Sequence, residues 1–74
     1  MVGLSEIRRE AGVTQAEMAA RLDITQGGVS QMERRGDMLL STLSQYLDAL
    51  GAHARITIAI GERTFSHDLT GGQP

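Results

Sequence analysis

Gln26, Gly27, Ser30, Gln31 and Arg34 share one face when residues 26–34 are wound at about 3.6 per turn. Amide and guanidinium groups are the side chains that read base edges in the major groove. A glutamine amide meets two atoms of adenine, and an arginine meets two of guanine. Val29, Met32 and Glu33 fall on the opposite side, which is left for packing. No other set of residues competes for the chemistry. The chain has no cysteine, which removes disulfides and thiolate metal sites. His53 and His67 lie far apart, without a carboxylate pattern that would hold a metal. The serines, Asp37 and Asp48 form no triad or carboxylate dyad. Gly27-Gly28 sits inside a helical pattern and Gly71-Gly72 near the end, so neither suits a phosphate loop. The expectation is a protein that is not an enzyme and needs no metal or cofactor.

Composition sets the frame for that face. Seventy-four residues, 41% of them apolar, allow one domain with a small core. The first charges, Glu6, Arg8 and Arg9, are followed by no apolar run, so a secretory leader is not expected. No stretch approaches the roughly 20 apolar residues that cross a bilayer. A cytoplasmic location follows as an expectation. The net charge is −2, with seven arginines and no lysine. Nucleic-acid binders usually carry a basic excess, so a DNA-binding reading predicts modest affinity for one copy and a need for two.

The face must be positioned by short helices. Leu4, Ile7 and Ala11 repeat at helical spacing, and Gly12 follows, which predicts helix one over 4–11. Thr14-Gln15-Ala16-Glu17 reads as a capping box. Helix two then runs to Leu22 and buries Ala16, Met18, Ala19 and Leu22. Asp23-Ile24 makes a turn, and Thr25 caps helix three over 26–34. A loop over 35–38 leads to helix four, capped by Ser41, with Leu43, Tyr46, Leu47 and Leu50 as its apolar stripe. Gly51 ends it. Met18, Met32 and Met38 read as packing residues, and the run Met38-Leu39-Leu40 as an anchor to the core.

Beyond Gly51 the period changes from helical to alternating. Ala54, Ile56, Ile58 and Ile60 alternate with Arg55, Thr57 and Ala59, the pattern of a strand with one apolar face. Gly61-Glu62 suits a two-residue type II′ turn. That register sets Ala54 against Leu69, Ile56 against His67 and Ile58 against Phe65. On the other face it sets Arg55 against Asp68 and Thr57 against Ser66. A lone hairpin is marginal, so its apolar face needs cover from helix four or from a second chain. A homodimer in which hairpins or their neighbours pack together is expected. The alternative is a hairpin that covers the core of a monomer. The sequence is thus expected to form one domain over 1–70, with the hairpin over 53–69 and a flexible tail over 71–74.

Residues 4–51 resemble the Xre family of helix-turn-helix domains, which includes lambdoid phage repressors. The resemblance rests on Arg8, Thr14-Gln15-Ala16-Glu17, Ala19, Leu22, Thr25-Gln26, Val29-Ser30-Gln31, Glu33 and the segment STLSQYLDALG over 41–51. A hairpin after helix four is more similar to HigA-type antitoxins than to phage repressors. The resemblance implies a mostly α domain of four helices with a C-terminal β-hairpin. It implies binding to double-stranded operator DNA and repression of a promoter by occlusion. Gln15 would touch a phosphate and brace Gln26, and Gln26 would read a base. Ser30 and Gln31 would face bases or backbone, and Thr25 and Thr42 would bind phosphates near helix starts. Arg34 would either meet phosphate or serve the helix C-terminus. Arg8 and Glu33 would form an internal salt bridge. A RelE- or HigB-like mRNA-cleaving toxin would be the partner.

Three residues or features depart from the pattern. Asp23 stands where a turn glycine is usual; aspartate tolerates the left-handed region better than most residues. Gly27-Gly28 interrupts the reading face, and each glycine costs about 0.8–1 kcal/mol against alanine in a helix interior. Gly27 implies fewer direct contacts or a closer backbone approach. The sequence begins almost at helix one, leaving little room for a separate toxin-binding segment. Two alternatives therefore stand beside the operon-repressing antitoxin. One is a stand-alone or prophage regulator. The other is an antitoxin module that chiefly binds protein and reads DNA weakly.

Overall fold

The computed structural model describes residues 3–71 of the chain. Four helices, α1 (Leu4–Glu10), α2 (Gln15–Leu22), α3 (Gln26–Arg34) and α4 (Leu40–Ala49), precede strands β1 (Arg55–Ile60) and β2 (Arg63–Asp68). The expected tail lies outside the described residues except for Gly71.

Local chemistry explains most of the boundaries. The Thr14 hydroxyl accepts from the Glu17 N–H at 3.1 Å while the Glu17 carboxylate accepts from the Thr14 N–H at 2.9 Å. Both bonds of a capping box are therefore made. Asp23 closes α2 in the left-handed region at φ 58° and ψ 45°. Thr25 caps α3 by accepting from the Gly28 N–H at 3.0 Å.

Val13, Met18, Ala19, Val29, Tyr46 and Leu47 form the buried core, and Leu4, Ile7, Leu22, Met32, Leu43 and Leu50 pack around it. Each helix contributes one stripe, which is how so short a chain gathers a shared interior. Arg21 Nη1 donates to the Ala49 carbonyl at 2.8 Å and ties α2 to the end of α4.

Three expectations fail. Ala16 is exposed, because the inward stripe of α2 passes through Met18, Ala19 and Leu22 and leaves residue 16 to one side. Ser41 does not cap α4: the cap is Leu39, which makes no side-chain cap bond. Packing of the Leu43–Leu47 stripe sets where this helix starts, and capping chemistry does not. Leu39 and Leu40 are 72% and 58% exposed. Leu40 continues the stripe by one turn, but the core already ends at Leu43, so the pair anchors nothing.

The hairpin pairs as the alternation requires: Arg55 with Asp68, Ile56 with His67, Thr57 with Ser66 and Ile58 with Phe65. Gly61 takes φ 58°, and the only non-glycine residue with positive φ among those described is Asp23. A turn with positive φ at its first central residue alone is type II′. Ala54, Ile56 and Leu69 at the base are partly buried, whereas Ile58, Ile60 and Phe65 are 52%, 65% and 46% exposed. The domain's own core thus covers the root of the hairpin and not its outer half. Arg63 lays its guanidinium 5.2 Å from the centre of the Phe65 ring on that uncovered face.

Candidate nucleic-acid interface

α3 turns one face inward and the other outward. Val29 is fully buried, and Glu33 has a side chain only 4% exposed. Gln26, Gly27, Gln31 and Arg34 are exposed, and Ser30 is half-buried. A short amphipathic helix thereby offers amides and a guanidinium to solvent from a rigid base.

That base is built around one carboxylate. Arg8 Nε donates to Glu33 Oε2 at 2.7 Å, and Arg8 Nη2 to Oε1 at 3.3 Å. The Tyr46 hydroxyl donates to Oε2 at 2.6 Å and Gln15 Nε2 to Oε1 at 3.1 Å. Arg8 Nη1 also donates to the Val13 carbonyl at 2.9 Å. All four helices thus meet on Glu33, and among the described residues no buried side-chain polar atom is left unpaired. Burial pushes the Glu33 carboxyl up, but the bonds from Arg8, Tyr46 and Gln15 and the Arg8 charge outweigh it and hold it below the usual range. Burial pushes the Tyr46 phenol up, and the hydrogen bond to Glu33 raises it further.

The remaining residues expected at this site divide into two groups. Gln31 and Thr42 line one open depression between α3 and the start of α4, together with Gly28, Arg35 and Leu39. Gln31 and Arg34 line a second with Arg35. Gln15 stands apart: its amide nitrogen donates to Glu33 Oε1, which leaves its carbonyl oxygen and a second N–H for other partners. Ionised Glu33 selects the NH2 end of that amide, so the Gln15 carbonyl points away from it. The Thr25 hydroxyl already serves the cap of α3, while the residue as a whole stays exposed.

The paired glycines have different reasons. A Cβ at Gly28 would lie 3.3 Å from Thr25 Oγ1 and 3.4 Å from Ile24 Cδ1, against the cap and the turn. A Cβ at Gly27 would meet only Thr25 Oγ1, at 3.9 Å. A side chain at Gly28 would ask the Thr25 hydroxyl to give by a few tenths of an ångström, whereas Gly27 is bare on the outer face.

Two contributions lay beyond the sequence reading. Tyr46 was expected in the core but not as a ligand of Glu33. Its signal was a phenol in a stripe of leucines, since a buried hydroxyl needs a partner. Arg35, which the sequence pattern placed only in a loop, borders both depressions. No group of three or more His, Cys, Asp or Glu among the described residues could hold a metal ion, and no helix among them is long and apolar enough to cross a membrane.

Similarity to known proteins agrees with this geometry. A family model described as Helix-turn-helix matches residues 4–55. The candidate antitoxin HigA2 of Mycobacterium tuberculosis strain H37Rv is 37% identical over 65 residues, covering 85% of this chain and 64% of the relative. The candidate antitoxin HigA3 of the same organism is 43% identical over 65 residues, covering 82% of this chain and 59% of the relative. The chain thus spans about three-fifths of the length of these curated relatives. Among solved structures, a HigA antitoxin whose unique dimerization induces DNA bending superposes with a TM-score of 0.77 at 38% identity, over 88% of this chain and 90% of that one. A DNA-bound antitoxin HigA3 superposes with a TM-score of 0.79 at 39% identity, over 90% of each chain. By its matching segment, its four-helix frame and these relatives, the chain belongs to the Xre-type helix-turn-helix family and is closely related to the HigA antitoxins.

Proposed function

We propose that the chain is a sequence-specific DNA-binding repressor and the antitoxin of a type II toxin–antitoxin pair that silences its own operon. The observation that carries this reading is α3. Its inner face is fixed by Val29 and Glu33, and its outer face presents Gln26, Gln31 and Arg34 to solvent. Gln26 and Gln31 are the base readers, with Ser30 beside them. Gly27 lets the backbone approach the groove. Thr25, Thr42, Gln15 and Arg34 meet phosphates and set the register. The DNA-bound HigA3 relative, similar over 90% of this chain, supports the same use of the fold.

The working unit is a homodimer. Few readers and a net charge of −2 leave one copy weak, and a palindromic site rewards two. The surface for the second copy is the outer half of the hairpin, Ile58, Ile60 and Phe65, which the described residues leave exposed. Face-to-face packing hides those side chains, whereas edge-to-edge pairing would leave them in water. Glu62 and Arg63 at the rim offer opposite charges, which suits a self-complementary contact. The dimerizing HigA relative supports a two-copy assembly. The toxin is a RelE- or HigB-like mRNA-cleaving protein, and the complex acts in the cytoplasm.

A binding titration on the DNA upstream of the gene, at several salt concentrations, tests the core of this reading. Affinity should fall as salt rises, because phosphate contacts release counterions. Gln26→Ala and Gln31→Ala should each weaken binding by about 1–3 kcal/mol. Unchanged affinity in both variants would defeat the assignment of α3. Co-purification with the product of a neighbouring gene separates an antitoxin from a stand-alone regulator.

A further inference from the structure

The hairpin is fastened to α4 by more than its chain connection. The Ser44 hydroxyl donates to the Leu69 carbonyl at 2.5 Å. The Leu69 N–H donates to the Ala54 carbonyl at 2.9 Å. The Ala54 N–H donates to Thr70 Oγ1 at 2.8 Å. The Gly71 N–H donates to Asp48 Oδ1 at 3.1 Å.

The Leu69–Ala54 bond continues the register of the strand ladder by one pair beyond Arg55–Asp68, and the other three lie outside it. The hairpin would close without them. Thr70 is nevertheless 5% exposed, and with Arg8 it makes up the buried polar residues of the described chain. A hydroxyl buried just after the last strand carries a cost unless its bond is made. The bond it makes joins the two roots of the hairpin.

Ser44 and Asp48 stand one helical turn apart on α4 and hold successive points of the segment 69–71. One attachment would leave a pivot; two, separated along the helix axis, fix a direction. α4 is itself locked to α3 through Tyr46 and Glu33, and to α2 through Arg21 and Ala49. A continuous path of short contacts therefore runs from the recognition helix to the hairpin.

We propose that this clasp, Ser44 and Asp48 gripping residues 69–71, fixes the angle of the hairpin arm and so selects the spacing between operator half-sites. The inference rests on the reading that two copies join through their hairpins and bind DNA. In such a dimer the distance and rotation between the two α3 helices pass through both arms. Adding one base pair between half-sites moves one of them about 3.4 Å and rotates it by about a tenth of a turn. A rigid arm does not follow that change, and a loosened one does.

The test is a series of palindromic duplexes, built on a half-site selected by the wild-type protein from a randomised duplex pool, with the spacer varied one base pair at a time. Wild-type protein should show one favoured spacing and lose about tenfold in affinity for each base pair away from it, the equivalent of about 1.4 kcal/mol. Ser44→Ala, and separately Thr70→Val, should bind the favoured spacing more weakly and discriminate among spacings less than about threefold. Equal discrimination in wild type and in the folded variants would overturn the clasp. Ser44 is the milder change, so it carries the test if Thr70→Val lowers helical circular dichroism. Sedimentation and the wild-type titration are read first. A wild-type monomer, or no selected half-site, overturns the underlying reading and the clasp with it. A dimer that binds DNA without preferring a spacing overturns the clasp alone.

Discussion

The Tyr46 hydroxyl donates to Glu33 Oε2 at 2.6 Å from a phenol ring that is fully buried. The bond joins the helix that anchors the hairpin to the helix that faces outward, so its loss should be felt in stability and in the seating of α3. Hydrogen bonds to charged groups contribute about 1.5–3 kcal/mol. Tyr46→Phe keeps the packed ring and removes the bond, so urea unfolding should show a loss near the lower end of that range, because Oε2 keeps Arg8. An unchanged midpoint would mean that the phenol is a passive core residue.

Removing the other partner should cost more. Arg8 is 6% exposed and depends on Glu33 for its countercharge. Glu33→Gln strands that guanidinium, and breaking a buried pair from one side costs about 3–5 kcal/mol. Much of a small domain's stability would be spent, and the variant should unfold at far lower urea. Replacing both residues by apolar ones of similar size should recover part of the loss. Recovery in the double variant is the result that separates an uncompensated charge from lost packing.

Acid should act through the same group. The Glu33 carboxyl lies below its ordinary range for the reasons given above. The Glu17 carboxyl is lowered by the Thr14 backbone N–H first and its hydroxyl second. A depressed carboxylate adds stability that is fully present above its unfolded pKa, about 4.3, and is lost as pH falls through the folded value. The melting temperature should therefore hold above the unfolded pKa and fall as pH drops from about 4.3 through the lower folded value. Glu17 is solvent-exposed, so Glu33 should dominate the slope. A melting temperature that stays level down to about pH 3 would contradict the network's ionisation.

Gly27 and Gly28 should respond differently to alanine. Space is open at Gly27, so Gly27→Ala should stabilise the fold by up to about 1 kcal/mol. At Gly28 the new Cβ would crowd Thr25 Oγ1 at 3.3 Å, so the propensity gain should be smaller than at Gly27. Denaturant midpoints distinguish the two. A Gly27→Ala protein that is more stable yet binds DNA less well would mark the place where the backbone approaches the groove.

The legible parts of this fold were those fixed by short-range chemistry. The Thr14–Glu17 box, the Thr25 cap, the left-handed Asp23 and the hairpin register all depend on residues a few positions apart, or on a period of two. The outward face of α3 was legible for the same reason. What was hidden depended on distance along the chain. Ser41 looked like a cap, but packing of the Leu43–Leu47 stripe moved the start of α4. Met38-Leu39-Leu40 looked like an anchor, yet the core stops one turn short of Leu40. The bond from Gln15 to Glu33, eighteen residues on, was not announced by any local pattern either. The clasp joins Ser44 to Leu69, a pairing that no local pattern announces.

The uncovered hairpin face makes the last prediction. Ile58 and Phe65 are about half exposed, so Ile58→Thr with Phe65→Ser gives up only the covered half of each side chain and should lower the thermal stability of a single copy less than emptying a fully buried core position does. Leu47 is the control: it is 7% exposed, and Leu47→Ala should cost about 2–5 kcal/mol. If the hairpin face holds the second copy, the surface variant should sediment as a monomer at concentrations where the wild type is a dimer. It should also lose affinity for a two-half-site duplex far more than for a single half-site. The contrast matters because a merely destabilised protein would lose both together. A variant that stays dimeric would move the contact away from Ile58 and Phe65, to the other exposed apolar side chains, Ile60, Leu39, Leu40 and Ile24.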